Sequence, residues 1–340
     1  MAGEIIEEYQ PDAIWSRFVP IGLGIRKSGY EGPLLQIYAT TSAMSSRGTY
    51  LNTKGLPLKR RALLLGLMPL DYFASKKVEL ELYRKSIGIT FSEMLRQKVV
   101  ASLPSETATV HVTPPGVDAN FFSPTNGARS IDAIVRTSRI DTERPIVLYV
   151  GRLASDKNIP LLIEAVSKAR RKPSLVLVGS GSERASLEAY AKKLGISSCT
   201  HFVGPQSEML PSFYCMSRVC VLPTTIETFG HVFLEAMACG TPVIGFKPDG
   251  SKVMTATPEI VRDNVTGKVV KTATSEALAR ALDEIISVGP CDYAVMRKEC
   301  RAEVLKRFSW KTFVEQMIKY QHNHLPSDTR IDGPRGGRNE

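Results

Sequence analysis

The sequence predicts an α/β protein built on a parallel sheet with helices on both faces, preceded by a second, shorter lobe. Three observations carry this. From residue 145 onward, short apolar runs closed by turn residues recur (Ile146–Val150, Ser174–Val178, Val243–Phe246). Runs of that length, apolar throughout, read as strands buried on both faces. Stretches of helical apolar spacing separate them, and strand–helix alternation of this kind requires crossovers, hence parallel pairing. The length of 340 residues, 43% hydrophobic and 23% charged, suits a globular chain with two cores.

Taken in order, the first half reads as strands at 13–18, 34–38, 87–91 and 110–112, with a helix at 92–101 and a turn-rich Pro114-Pro-Gly-Val-Asp118. Residues 125–144 read as a linker. In the second half, the strand at 146–150 is followed by a loop carrying Gly151, Arg152 and Lys157, and by a helix at 159–170. A strand at 174–178 leads through Gly179-Ser-Gly181 into a helix ending near 194. A short strand at 200–203 and a helix at 207–216 complete that run. Helices follow at 275–287 and 292–320, the latter broken near Ser309. The organisation expected is a first lobe over 1–143, a second over 144–290, C-terminal helices over 291–325 that pack back on the first lobe, and a disordered Gly/Pro/Arg tail over 326–340.

The segment Glu227-Thr-Phe-Gly230-His-Val-Phe-Leu-Glu235 carries the most chemistry. A strand ending in Pro223 precedes it, and Gly240-Thr-Pro stops the helix that it opens. Thr228 is the expected N-cap, which aims the free N–H groups of Phe229, Gly230 and His231 at whatever Glu227 touches. Glu227 then lies at the carboxyl edge of the sheet, where open α/β proteins bind ligands. Glu235 lies two turns along the helix. Carboxylates for sugar hydroxyls beside an anion hole for phosphate suit a nucleotide-sugar site. Arg152 and Lys157, on the same edge, add cations for a diphosphate.

Other features exclude or weigh against alternatives. Gly179-Ser-Gly181 lacks the third glycine of a dinucleotide fingerprint, Arg184 standing there, so a nicotinamide cofactor is rejected. Its roles are a tight turn and a wall of the nucleotide pocket, with backbone groups at Val203 and Gly204 available to a base edge. The six cysteines have no C-x-x-C spacing and no secretory signal precedes them, which implies reduced thiols in a cytoplasmic protein without structural metal. The net charge of +10 favours anionic ligands. Residues 51–100 hold ten Lys/Arg against four Asp/Glu, and within them 56–69 mixes cations with an apolar run. That run reads either as a core helix with a basic start or as an interfacial segment at the inner face of the membrane. No stacking aromatic series accompanies the charge, so nucleic acid is not an expected partner.

Together these residues resemble the retaining glycosyltransferases of family four (glycosyl transferases group 1), which have the two-lobed, Rossmann-like GT-B fold. The matching pieces occur in family order. They are Ile89-Thr-Phe-Ser92, Pro114 through Asp118 to Phe122-Ser-Pro124, Val150-Gly-Arg-Leu with Lys157-Asn, and Leu177-Val-Gly-Ser-Gly181. Phe202-Val-Gly204, the Glu227/Glu235 segment, Thr266-Gly267 and Phe308-Ser-Trp310 complete the series. The resemblance implies that Arg152 and Lys157 neutralise the diphosphate of a UDP- or GDP-sugar and that Glu235 holds the ribose hydroxyls. It further implies that Glu227 orients the transferred sugar, assisted by N–H groups at Phe229 and Gly230, with His231 a further candidate for phosphate or acceptor. Transfer would retain anomeric configuration and need no divalent metal or other cofactor.

The first lobe departs from the family pattern. The chain opens at Met1-Ala-Gly-Glu, which resembles a point well inside that lobe, and the strand at 34–38 is followed by Ala39-Thr-Thr-Ser-Ala43 in place of a histidine. An abbreviated first lobe, a protein partner that completes it, or a rebuilt acceptor site each account for this. The acceptor is unidentified, and the basic 56–69 run suggests a lipid-linked one. A non-catalytic nucleotide-sugar-binding subunit and a sugar-nucleotide epimerase are the rival readings.

Overall fold

The computed structural model describes residues 8–17, 19–38, 86–102, 109–138 and 140–323, with residues 6, 77 and 80–83 besides. The basic run at 56–69, the 39–43 segment and the 326–340 tail lie outside these described residues.

Four strands form the first sheet: β1 (Ile14–Ser16), β2 (Leu34–Tyr38), β3 (Ile87–Thr90) and β4 (Val110–Val112). They lie side by side in chain order and are all parallel. Helix α1 (Val19–Lys27) connects β1 to β2. Helix α2 (Glu93–Val100) connects β3 to β4 and starts where the residue type dictates, because the Ser92 hydroxyl accepts the Leu95 N–H at 3.2 Å.

The 125–144 region corrects the linker expectation. Helix α3 (Pro124–Gly127) opens on Ser123, whose Oγ accepts the Asn126 N–H at 3.2 Å, and has Pro in its first turn. Helix α4 (Ile131–Ser138) follows and buries Ile134 in the core. The polar Thr-Asn-Gly composition suggested a spacer, but the cap and two well-spaced isoleucines outweigh it.

The second half alternates as predicted. Its elements are β5 (Ile146–Val150), α5 (Ile159–Lys168), β6 (Ser174–Val178), α6 (Arg184–Lys193), β7 (Thr200–Gly204) and α7 (Leu210–Met216). Then come β8 (Val219–Val221), β9 (Ile226–Glu227), α8 (His231–Ala238), β10 (Val243–Phe246), β11 (Met254–Thr255), α9 (Thr257–Ile260) and β12 (Gly267–Val270). Six of the strands make one parallel sheet in the order β12-β10-β8-β5-β6-β7, while β9 pairs with β11 apart from it. Successive strands step outward from β5 on one side, then from β8 on the other. The crevice between the ends of β5 and β8 is therefore the switch point, where this class of sheet receives ligands. Leu148, Val176, Cys220 and Ile244 have no solvent exposure, consistent with strands covered on both faces.

Helices α10 (Ser275–Ser287), α11 (Pro290–Arg307) and α12 (Trp310–Asn323) close the chain. The predicted break falls at Phe308 and Ser309, with the Ser309 hydroxyl accepting the Thr312 N–H at 3.0 Å. Helix α12 lies against the first sheet. Tyr320 stacks on His111 with ring centroids 3.9 Å apart, and Trp15 Nε1 donates to Gln321 Oε1 at 3.3 Å. The Pro114–Asp118 stretch meets this break too, since the Val117 N–H donates to the Phe308 carbonyl at 3.0 Å.

Candidate active site

The loop after β5 is folded against the loop after β6 by backbone bonds alone. Gly151 N donates to Val178 O at 3.0 Å and Leu153 N to Ser180 O at 2.9 Å, while Gly179 N ties the second loop to the end of β7 through Gly204 O at 2.8 Å. Gly179 has φ +138°, and a Cβ on it would stand 2.0 Å from the Gly151 carbonyl oxygen. This position therefore requires glycine, both for its dihedral and for the close approach. The Gly-x-Gly pair is thus a wall that fixes the loop carrying Arg152 and Lys157.

That loop meets the β8–α8 loop directly. Lys157 Nζ stands 3.3 Å from Glu227 Oε2, both side chains being partly buried. Asn158, in left-handed conformation at φ 52°, donates from Nδ2 to the Pro223 carbonyl at 3.1 Å and so ties the two loops together. Arg152 sits further out. Its guanidinium is 65% exposed and pairs with Asp156 at 3.1 Å, while its carbonyl accepts the Tyr149 hydroxyl at 2.8 Å. The structure therefore brings Lys157 and Glu227 together and leaves Arg152 further out, paired with Asp156.

Two expectations about α8 are corrected. The helix starts at His231 with Gly230 as its cap residue, in left-handed conformation at φ 91°, so Thr228 is not the N-cap. Glu227 belongs to β9, held by Ala256 N donating to its carbonyl at 3.2 Å, and that pairing carries the chain past Thr228 before it can turn into helix. The amides without an in-helix acceptor accordingly begin at His231 and Val232 rather than Phe229, and Glu235 lies one turn in rather than two. Phe229 is buried, its ring meeting Phe91 and Phe308 edge-on with centroids 6.2 and 6.0 Å away. His231 sits edge-on to Phe91 and Phe229, and burial, reinforced by Arg17, lowers its pKa, so its imidazole is neutral at pH 7.

Glu235 is the second carboxylate of the crevice. The Tyr214 hydroxyl, on α7, donates to its Oε2 at 2.6 Å. Burial raises the Glu235 pKa and the Tyr214 hydrogen bond opposes that rise. Val203 and Gly204 end β7 as expected, but their carbonyls already accept Gln206 Nε2 at 3.2 Å and Gly179 N at 2.8 Å.

The first half reaches the same loop. Ser92 Oγ donates to the Thr228 carbonyl at 2.7 Å. The Glu259 carboxylate accepts the first amides of α2, from Glu93 N at 2.6 Å and Met94 N at 2.9 Å. Asn158 and Ser92, which stood in the motif pieces without a role, and Tyr214 and Glu259, which sequence reasoning did not single out, hold these loops in place. Of these, Tyr214 left a trace, since an aromatic hydroxyl in a buried helix needs a partner. Among the described residues no group of three or more His, Cys, Asp or Glu could hold a metal ion.

Two parallel α/β sheets, with the site at the carboxyl edge of the second, define the GT-B class of architecture. Solved structures bear this out at the level of fold. Sucrose-phosphate synthase from Thermosynechococcus elongatus superposes with a TM-score of 0.74 at 24% identity, over 94% of this chain and 75% of its own. The Anabaena protein HepE, solved with UDP, gives 0.72 at 18% identity, over 95% and 82%. The model of the glycosyl transferases group 1 matches residues 130–303, and the chain belongs to that family. A GDP-mannose-dependent α-(1-6)-phosphatidylinositol monomannoside mannosyltransferase of Mycolicibacterium smegmatis is 31% identical over 66% of this chain and 59% of its own length. A D-inositol 3-phosphate glycosyltransferase of the same organism is 32% identical over 73% and 55%. The chain thus spans under three-fifths of the length of these two curated relatives.

Proposed function

We propose that this protein transfers a sugar from a nucleoside-diphosphate sugar to an acceptor hydroxyl with retention of configuration. The observation that carries the reading is the meeting of Lys157 and Glu227 at the sheet's switch point, beside the start of α8. Lys157 and the first amides of α8 are placed to stabilise charge that builds on the departing diphosphate. Glu227 is placed to orient the transferred sugar, and Arg152 to close over the diphosphate from the rim once it exchanges Asp156 for phosphate. Glu235 accepts the ribose hydroxyls. The acceptor attacks on the face that the nucleotide leaves, so no enzyme nucleophile is required, and the diphosphate oxygen takes up the acceptor's proton.

The donor is a UDP- or GDP-sugar. The relatives' names, which specify GDP-mannose and inositol-containing acceptors, support a hexosyl donor and a phosphorylated or lipid-linked acceptor. No helix among the described residues is long and apolar enough to cross a membrane. The basic run at 56–69 supports cytoplasmic action at an anionic membrane face, and sedimentation with anionic vesicles at low salt tests that placement.

Thermal-shift titration with UDP, GDP and ADP tests the donor site. One nucleotide should stabilise the wild type by about 2.7 kcal/mol at a hundredfold its Kd, and Glu235→Ala should weaken that response. No shift with any of the three removes the reading. Binding without turnover, restored by a partner protein, would convert it to that of a donor-binding subunit.

A further inference from the structure

We propose that Tyr214 is a positioning residue that holds Glu235 by one oxygen and so makes the site select ribonucleotides over deoxyribonucleotides. The proposal rests on the reading that Glu235 meets the donor's ribose.

Tyr214 has no solvent exposure and cannot reach a ligand itself. Its hydroxyl donates to Glu235 Oε2 at 2.6 Å, short enough for a strong, charge-assisted bond. The tyrosine is held in turn. Thr241 Oγ1 donates to the Tyr214 carbonyl at 2.6 Å, and Thr241 N donates to Ala236 O at 2.8 Å, so one residue clamps α7 to the end of α8. The Phe122 ring meets the Tyr214 ring edge-on at 6.0 Å. With Oε2 occupied, Oε1 is the oxygen that remains for an incoming hydroxyl, presented from a carboxylate whose rotation is blocked. A fixed acceptor built for a substrate hydroxyl discriminates strongly against an analogue lacking it, whereas a swivelling one does not.

The same bond favours the ionised form of Glu235. Burial favours its neutral form, and Tyr214 supplies the opposing stabilisation. The other titratable groups near the carboxylate are the thiols of Cys220 on β8 and Cys239 at the end of α8, with Arg301 of α11 beside the latter. Both thiols are pushed up by their surroundings and neutral at working pH, so Tyr214 is the group that offsets burial.

The test is calorimetric titration of UDP and GDP and of their 2′- and 3′-deoxy forms against wild type, Tyr214→Phe, Glu235→Ala and the double variant. Tyr214→Phe should weaken the ribonucleotide roughly tenfold, the worth of one hydrogen bond to a charged group, and leave at least one deoxy form nearly unchanged. In the Glu235→Ala background the same substitution should do nothing further. The acid limb of ribonucleotide binding should also move to higher pH in Tyr214→Phe. Thr241→Val, which keeps the tyrosine but loosens it, should shift the ribo/deoxy ratio in the same direction by less, and serves if Tyr214→Phe does not fold. Equal losses for ribo and deoxy forms, or an undiminished loss in the Glu235→Ala background, would make Tyr214 merely structural and sink the proposal. Failure of wild type to bind UDP or GDP would instead remove the donor-site reading, and this proposal with it.

Discussion

The rim and the floor of the crevice hold their carboxylates differently, in ion pairs at the rim and against a hydroxyl on the floor. At the rim two acids have bases within reach, Glu227 with Lys157 at 3.3 Å and Asp156 with Arg152 at 3.1 Å. On the floor, Glu235 has a neutral hydroxyl as its partner, and its pKa is raised by burial. Paired rim charges cost the empty protein little and can be exchanged: on the proposed reading, an incoming diphosphate would replace carboxylates as the partner of the cations. A buried carboxylate on the floor costs stability, a cost that a ligand hydroxyl would relieve on the proposed reading. The rim thus looks suited to charge that changes during a reaction, and the floor to recognition of something that stays put.

Breaking the rim should have the largest effect. Lys157→Met and Glu227→Gln are each expected to lower turnover about a thousandfold, the scale of losing one preorganised electrostatic contact. Melting of the unliganded protein should move by less than about 1 kcal/mol, because a partly exposed pair contributes little. Steady-state kinetics with the donor that gives a thermal shift checks this. A variant that keeps full turnover would show that the pair lies outside the chemistry.

Next in size comes the wall that holds the rim in place. Gly179→Ala should destabilise the protein by about 3 kcal/mol, from a Cβ that would overlap the Gly151 carbonyl and a positive φ that alanine resists. Denaturant unfolding measures it, and a loss under 1 kcal/mol would mean that the two loops move apart freely.

On the floor the sign reverses. Glu235→Gln should abolish most nucleotide stabilisation yet raise the stability of the unliganded protein by about 1 kcal/mol at pH 7. A carboxyl with a raised folded pKa costs nothing below its ordinary range, and the cost develops as pH rises through the folded value. The gain should therefore shrink towards zero near pH 4, in paired thermal melts of variant and wild type. A gain that is independent of pH would contradict the assignment of cause.

The smallest effect belongs to His231. Its pKa is lowered, so folding loses stability as pH falls below the ordinary imidazole range near 6.5, and His231→Asn should flatten that slope by under about 1 kcal/mol. Arg17 and Glu227 are the charged groups that act on it, and melts of the two proteins between pH 5 and 8 would reveal the difference.

The same contrast marks what the sequence could disclose. Strands such as Ile146–Val150 and Ser174–Val178 were legible because a strand buried on both faces must be apolar throughout. The rim was legible from charge at loop positions beside strand ends. Helix starts were less so. Thr228 has a good capping side chain, but the pairing of β9 with β11 decides where the chain turns, and that pairing joins residues nearly thirty positions apart. The α3–α4 region hid behind polar composition, since its cap and its two isoleucines count only once a core exists for them. The floor was legible as Glu235 alone. Its tyrosine lies on another helix, and no spacing rule connects them.

The cap on α2 belongs to both halves of the molecule, Ser92 from its own strand end and Glu259 from α9 of the second half. Ser92 also donates to the backbone at Thr228, one residue from Glu227. Anyone recombining halves between relatives should therefore treat Ser92, Thr228 and Glu259 as one inherited unit. A hybrid cut near residue 140 keeps each half's covalent chain intact but divorces a helix from the carboxylate that begins it, and the Glu227 segment from its brace.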